Sequence, residues 1–365
     1  MITHKTTSRG PLSRVHFTSL LTIAAAWCVG AVILISSTSQ AQNLYVANAN
    51  NNTIIKITPA GAQSTFASGL DGPYGMAFDR AGDLFVADHG SGNIYEFTNG
   101  VAANQGIFAS GFTSPTEPVA LAFDSAGDLF MSSDQSGNIY EFTNGVAANR
   151  GIFATLSGTA GIQGLAFDSA GDLFASQPGN NTITKITPGG TQSIFLASNL
   201  SFPVGLAFDS AGDLFEANGG SGNIYEFTNG VATNQSTFAT LTSNAQGLAF
   251  DNAGDLFVTD QGGGKIYEFT NGLAANRGIF ASGLDSPDSL AFAPTPAFSV
   301  NIKMFAGIIL NNGQIGSNYL IQATANLSSS NWTTLTNVTL PSQPYIYIDY
   351  SSYTNSQQFY RVQPQ

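Results

Sequence analysis

Ala122-Phe123-Asp124-Ser125-Ala126-Gly127-Asp128-Leu129-Phe130 decides the fold, because it recurs. The phrase Ala-Phe-Asp-x-Ala-Gly-Asp-Leu-Phe also begins at Ala77, Ala166, Ala207 and Ala249, so successive starts lie 45, 44, 41 and 42 residues apart. Leu121–Phe123 and Leu129–Met131 are apolar runs separated by a tight turn, in which Gly127 supplies a positive φ and Asp caps the backbone. A second phrase, Asn-Ile-Tyr-Glu-Phe-Thr-Asn-Gly, stands at 93–100, 138–145 and 223–230, with 265–272 as a variant. It alternates as a strand does and ends in another turn. A third phrase, such as Gly106-Ile107-Phe108-Ala109-Ser110, closes the unit. Four short strands in 40–45 residues is the spacing of a β-propeller blade.

The ends set the blade number. The Leu-Phe strand occurs at Leu129, Leu84, Leu173, Leu214 and Leu256, and once more as Leu44-Tyr45. The first copy lacks a leading strand, and Ala291-Phe292-Ala293 is a leading strand without followers. Residues 289–293 are therefore expected to complete the blade begun at 43–69, closing a ring of six and removing the open sheet edge. A longer period agrees. Asn52–Pro59 and Asn181–Pro188 share one type of third strand and the other four units share another, so the order A-B-B-A-B-B points to a duplicated three-blade unit.

Composition narrows the function. Of 365 residues only 9% are charged, against about 25% in ordinary globular domains, while there are 40 Gly, 27 Phe and 12 Tyr. So many aromatics exclude a disordered acidic chain. With 11 Lys+Arg against 23 Asp+Glu, nucleic acid is excluded as a partner.

Lys5, Arg9 and Arg14, the apolar run Leu20–Ile35 and Ser39-Gln40-Ala41 have the order of a cleaved export signal. An uncleaved anchor is the alternative, although the apolar run is short for a span. Trp27 precedes Cys28, the sole cysteine, where lipidation needs a small residue. Cleavage would leave a cysteine-free chain that is secreted, periplasmic or on the cell surface, with no stable membrane insertion. After a short Pro-rich linker, 294–297, the repeat stops. Tyr319–Ala323, Trp332–Leu335, Tyr345–Tyr350 and Gln358–Val362 read as strands of a small β-sandwich-like module over 298–365. It resembles modules that end many secreted proteins of environmental bacteria, which implies attachment or sugar contact.

Gly72-Pro73-Tyr74-Gly75-Met76-Ala77-Phe78-Asp79, followed by Gly82-Asp83-Leu84-Phe85-Val86-Ala87-Asp88, resembles the NHL-repeat pattern. The stretch 43–293 is also similar to six-bladed propellers of the gluconolactonase and regucalcin-like type. That superfamily holds both enzymes and binding platforms, so the resemblance implies the fold more than an activity. A lactonase resemblance implies a metal-binding Glu before Gly-Pro at a first strand, with Asn and Asp ligands elsewhere on the ring. Here Asp71 occupies the first place, and Asn218 and Asp260 would be the others. Similar streptogramin lyases use more than one histidine, whereas His89 alone remains once the leader with His4 and His16 is removed. Quinone-dependent sugar dehydrogenases need basic residues for their cofactor. The propeller has only Lys56, Arg80, Arg150, Lys185, Lys265 and Arg277.

Most carboxylates belong to the repeat: ten of 17 Asp lie in the five Asp-x-x-Gly-Asp turns, and Glu96, Glu141, Glu226 and Glu268 share one strand position. These turns lack the ligand spacing of a calcium loop. Asp71, Asp88, Glu117, Asp134, Glu216, Asp260, Asp285, Asp288 and Asp349 break the symmetry, as a unique site should. Second strands end at Asn48, Asp88, Ser133, Gln177, Asn218 and Asp260, with His89, Asp134 and Gln261 beside them. An axial funnel of such residues would offer Asn48, Asp134, Gln177 and Gln261 for ligand binding and oxygen donors suited to Ca²⁺ or Mg²⁺.

The chain is thus expected to be an all-β, six-bladed propeller over 42–293 that binds a ligand, glycan or protein partner without chemistry of its own. The alternative is a metal-dependent lactone or ester hydrolase with Asp71, Asn218 and Asp260 as ligands and Asp88 or His89 as base. A third is a cell-envelope scaffold attached through its tail.

Overall fold

The computed structural model describes residues 42–158 and 161–295, together with five strands of the tail. Residues 1–41, where an export signal is expected, and the second half of the expected linker lie outside the described residues. Residues 40–296 form one compact unit, and the tail strands belong to another.

Within the first unit the chain makes six four-stranded antiparallel sheets. Blade 2 shows the plan, with strands Pro73–Phe78, Leu84–Asp88, Asn93–Phe97 and Gln105–Ala109 running from the inside outward. The inner strands of blades 3 to 6 are Pro118–Phe123, Gly164–Phe167, Pro203–Phe208 and Ala245–Phe250. Blade 1 takes its inner strand from the far end of the unit. Pro287–Phe292 pairs with Leu44–Asn48, with Leu44 opposite Phe292. Each inner strand packs on the next all the way round, so six blades close a ring as the sequence predicts.

The seams between blades are aromatic. Phe85 of blade 2 meets Phe108 of its own outer strand at 5.0 Å and Phe123 of blade 3 at 5.2 Å, both edge to face. The same triad recurs at the other five seams, around Tyr45, Phe130, Phe174, Phe215 and Phe257. Nearer the axis the backbones approach closely. A Cβ on Gly75, Gly164, Gly205 or Gly247 would lie 2.0–2.4 Å from a carbonyl oxygen of the next inner strand. Glycine is required there, since backbone cannot step aside as a side chain can.

The repeated acidic turns are structural. Asp79 Oδ1 accepts the Asp83 N–H at 2.8 Å, and Asp83 Oδ1 accepts the Asn99 N–H at 2.5 Å, tying one turn to the next. Asp128, Asp213 and Asp255 do the same for Asn144, Asn229 and Asn271. In blade 4, Lys185 bridges Asp172 at 2.6 Å and Asp168 at 3.4 Å instead.

In the tail, Ala306–Leu310 pairs with Tyr345–Asp349, and Asn318–Thr324 pairs with both Thr333–Thr339 and Phe359–Pro364, all antiparallel. The expected sandwich arrangement of these strands lies outside the described residues.

The seam account makes a test. Phe174→Ala removes a ring only 1% exposed and is expected to cost about 3–5 kcal/mol in urea unfolding. Ile107→Ser, at a position 60% exposed, should change stability by no more than about 0.5 kcal/mol.

Candidate functional site

Pro73 of the inner strand pairs with Asp88, but Met76 pairs with Val86, so Tyr74 and Gly75 together face the single residue Ala87. This β-bulge recurs in blades 1, 3, 5 and 6. A bulge re-aims a side chain out of the pleat. In these five blades it sets one residue at the axis, and Gln163, just before the inner strand of blade 4, makes the sixth: Tyr74, Val119, Gln163, Val204, Gln246 and Asp288 line the central cavity. These positions carry four kinds of side chain, Val and Gln each twice, while most of the ring repeats.

The cavity holds about 140 Å³. Ligand pockets usually exceed about 300 Å³, so it admits a few waters or the tip of a ligand. Anything larger can reach only its mouth.

The mouth gathers titratable groups on one side. His89 Nε2 lies 3.5 Å from Asp134 Oδ2, bridging the turns of blades 2 and 3. The Tyr74 ring meets the imidazole edge to face at 5.0 Å. Burial raises the Tyr74 phenol above its usual range, and the nearby Asp288 and Asp134 carboxylates add to this. Asp288 is half-buried in the cavity wall, and desolvation lifts its carboxyl to about 7. The other side is neutral: Gln246 Nε2 donates to Gln261 Oε1 at 3.1 Å, with Val119 and Val204 beside the axis. An acidic, protonatable arc thus faces an amide and aliphatic arc.

Of the residues singled out in the sequence, His89 and Asp134 are brought together and Gln261 reaches an axial residue. The ends of the second strands serve another purpose. Asn48, Asp88, Gln177, Asn218 and Asp260 are all buried, and none lines the axial cavity. Asn48 Oδ1 accepts the Asp285 N–H at 2.7 Å, Asp88 Oδ1 the Asp71 N–H at 2.7 Å and Asn218 Oδ1 the Ser201 N–H at 2.8 Å. Asp88 Oδ2 also accepts from Ser91 Oγ at 2.5 Å, and burial still raises its carboxyl above the ordinary value. Gln177 Nε2 donates to Ser157 O at 3.0 Å, and Asp260 Oδ1 accepts from Ser243 Oγ. Each side chain pins the loop entering the blade to the turn that follows.

Asp71, Asn218 and Asp260 stand on blades 2, 5 and 6 and none lines the axial cavity; Asn218 and Asp260 Oδ1 are engaged as above, and Asp71 lies against Gly90. Among the described residues no three His, Cys, Asp or Glu side chains form a metal-holding group.

Sequence reasoning had Asp288 among the symmetry-breaking acids but did not place it or Tyr74 in the site. The signal was the variable residue between Pro and Gly in Pro73-Tyr74-Gly75 and Pro203-Val204-Gly205. Glu216, another of those acids, lies apart from the mouth. It occupies the second strand of blade 5 where other blades carry Val46, Val86, Met131, Ala175 or Val258. It is fully buried, both oxygens lack a protein partner, and burial raises its carboxyl well above the ordinary value.

Neither a family model nor a curated protein matches the sequence. The chain is similar to one in the crystal structure of a nidogen/laminin complex, with TM-score 0.62 and 15% identity over 69% of this chain and 98% of that one. It is also similar to selenomethionine-substituted virginiamycin B lyase from Staphylococcus aureus, with TM-score 0.52 and 16% identity over 71% and 93%. A protein of unknown function from Bacteroides caccae gives TM-score 0.54 and 13% identity over 70% and 100%. At these identities the likeness establishes the fold, a six-bladed β-propeller.

Asp288 and Glu216 together set a pH dependence. Between the ordinary Asp value of 3.8 and about 7, folded Asp288 holds a proton that the unfolded chain releases. Folding is therefore most favoured at acid pH, and stability falls as pH rises through that window, with Glu216 acting in the same sense. Asp288→Asn should match the wild type near pH 4 and be more stable at pH 8, by at most about 4 kcal/mol before channel water is counted. Paired thermal melts at the two pH values measure this.

Proposed function

We propose that this chain is an exported, NHL-type recognition propeller, binding a ligand, glycan or protein partner across the mouth of its axial channel. The observation that carries the reading is the set of six axial positions, Tyr74, Val119, Gln163, Val204, Gln246 and Asp288. In ring order they read Tyr-Val-Gln-Val-Gln-Asp, which has no rotational symmetry where the rest of the ring repeats and so suits an asymmetric partner. The small cavity favours surface binding over enclosure of a substrate. Among the described residues the His89 side chain makes its polar contact with Asp134 and none with a hydroxyl or thiol nucleophile, and nucleophilic catalysis needs that contact. Export rests on the leader sequence. Among the similar folds, one comes from a protein complex and another is a lyase, so the fold leaves both classes open.

One observation favours lactone or ester hydrolysis as a second reading. The His89–Asp134 pair stands near a carboxyl that is half-protonated near neutral pH, the pairing of unlike titratable groups that acid–base catalysis uses. The full-length protein and His89→Ala should be compared on a glycan array and on a panel of lactones with Ca²⁺ or Mg²⁺. The recognition reading expects array binding weakened about tenfold by the substitution and no turnover. Metal-dependent turnover abolished by His89→Ala would replace it with the hydrolase.

A further inference from the structure

Blade 4 departs from its sisters at one core position. The middle of the third strand is Tyr95, Tyr140, Tyr225 or Tyr267 in four blades and Ile55 in blade 1, but Thr184 in blade 4. Thr184 pairs across the sheet with Ile194 of the outer strand, as Tyr95 pairs with Ile107. A hydroxyl-bearing stub in place of a phenol leaves space. Between the outer half of blade 4 and the chain leaving blade 3 lies a cavity of about 320 Å³, more than twice the axial one.

Its chemistry is specific. Among the described residues no charged side chain lines it. A charged ligand entering would lose hydration without gaining a counter-ion, so the site selects a neutral one. The polar wall is already rigid. Thr184 Oγ1 donates to Gln177 Oε1 at 3.0 Å, Gln177 Nε2 donates to Ser157 O at 3.0 Å, and Asn180 Nδ2 donates to the same carbonyl at 3.0 Å. Gln177 and Thr184 are only 3% and 4% exposed. What remains for a ligand is Asn180 Oδ1 and Gln192 Oε1 as acceptors and the Ser157 hydroxyl, which both donates and accepts. Beside Thr184, on the same face of the sheet, stands Ile194, an apolar side chain 62% exposed. Hydroxyls and amides next to exposed hydrocarbon complement a sugar ring, whose hydroxyls also both donate and accept while its C–H face is apolar. The volume, at the low end of ligand pockets, suits a single ring.

We propose that this side cavity of blade 4 is a binding site for one neutral saccharide residue, separate from the axial mouth and independent of its role. Saturation-transfer NMR on the full chain, with methyl glycosides of glucose, galactose, mannose and N-acetylglucosamine, tests it. At least one glycoside should give a signal. Thr184→Tyr, which installs the residue of four sister blades and fills the space, should weaken its binding by about tenfold or more. His89→Ala, in the axial mouth, should leave it unchanged. Gln192→Trp blocks the exposed rim and should weaken binding as Thr184→Tyr does, which keeps the test valid if the buried substitution disturbs folding. No signal from any of the four glycosides, or binding that survives both blocking substitutions, overturns the proposal.

Discussion

Edge-to-face contact between three aromatic rings at each blade seam is the interaction on which everything else depends. A blade buries neither face by itself, so it is stable only where a neighbour covers it. Each triad joins a ring on the second strand, one on the outer strand of the same blade and one on the inner strand of the next. Such pairs add about 0.5–1.5 kcal/mol beyond the area they bury, and they repeat at all six seams. The last seam joins Phe257 to Phe292, on the strand that closes the ring. Closure therefore uses the same contact as every other step round the ring.

That regularity allows the axis to be irregular. With the seams holding the blades and glycine letting inner strands touch backbone to backbone, the axial residue of each blade has no packing duty. It can be Tyr, Gln, Val or Asp without cost to the seam. A half-buried carboxyl raised to about 7 is tolerable at Asp288 because it lies in the cavity wall. Glu216 is a different case. It sits in a seam with no hydrogen-bond partner in the protein, and the structure supplies no physical reason for it.

The fold was legible because repetition multiplies a weak signal: one Ala-Phe-Asp turn is ambiguous, while five at near-constant spacing, with two half-units at the ends, leave a closed ring of six. The site was legible only in part. His89 and Asp134 were visible as departures from a repeated turn. Tyr74 and Gln246 were hidden because a β-bulge breaks the two-residue alternation by which strand faces are read. Asn48, Asp88, Asn218 and Asp260 were misleading for a related reason. A polar residue at a strand end reads as a funnel lining, yet each is buried and accepts a backbone N–H from a neighbouring loop or turn.

Low charge then takes on a different meaning. A ring built from rigid aromatic seams has little use for surface ion pairs, which contribute about 0–1 kcal/mol each. The acidic groups that remain serve geometry first: the turn aspartates hold loops, and the strand-end residues hold the entries to blades. Where a position is freed from these duties, its chemistry is free to be particular. Blade 4 shows this twice. Lys185 takes over the turn contacts that an Asn amide makes in four other blades, and Thr184 replaces the tyrosine of those same blades and opens a cavity. In a repeat protein the informative residue is the one that departs from its counterparts while the fold remains intact.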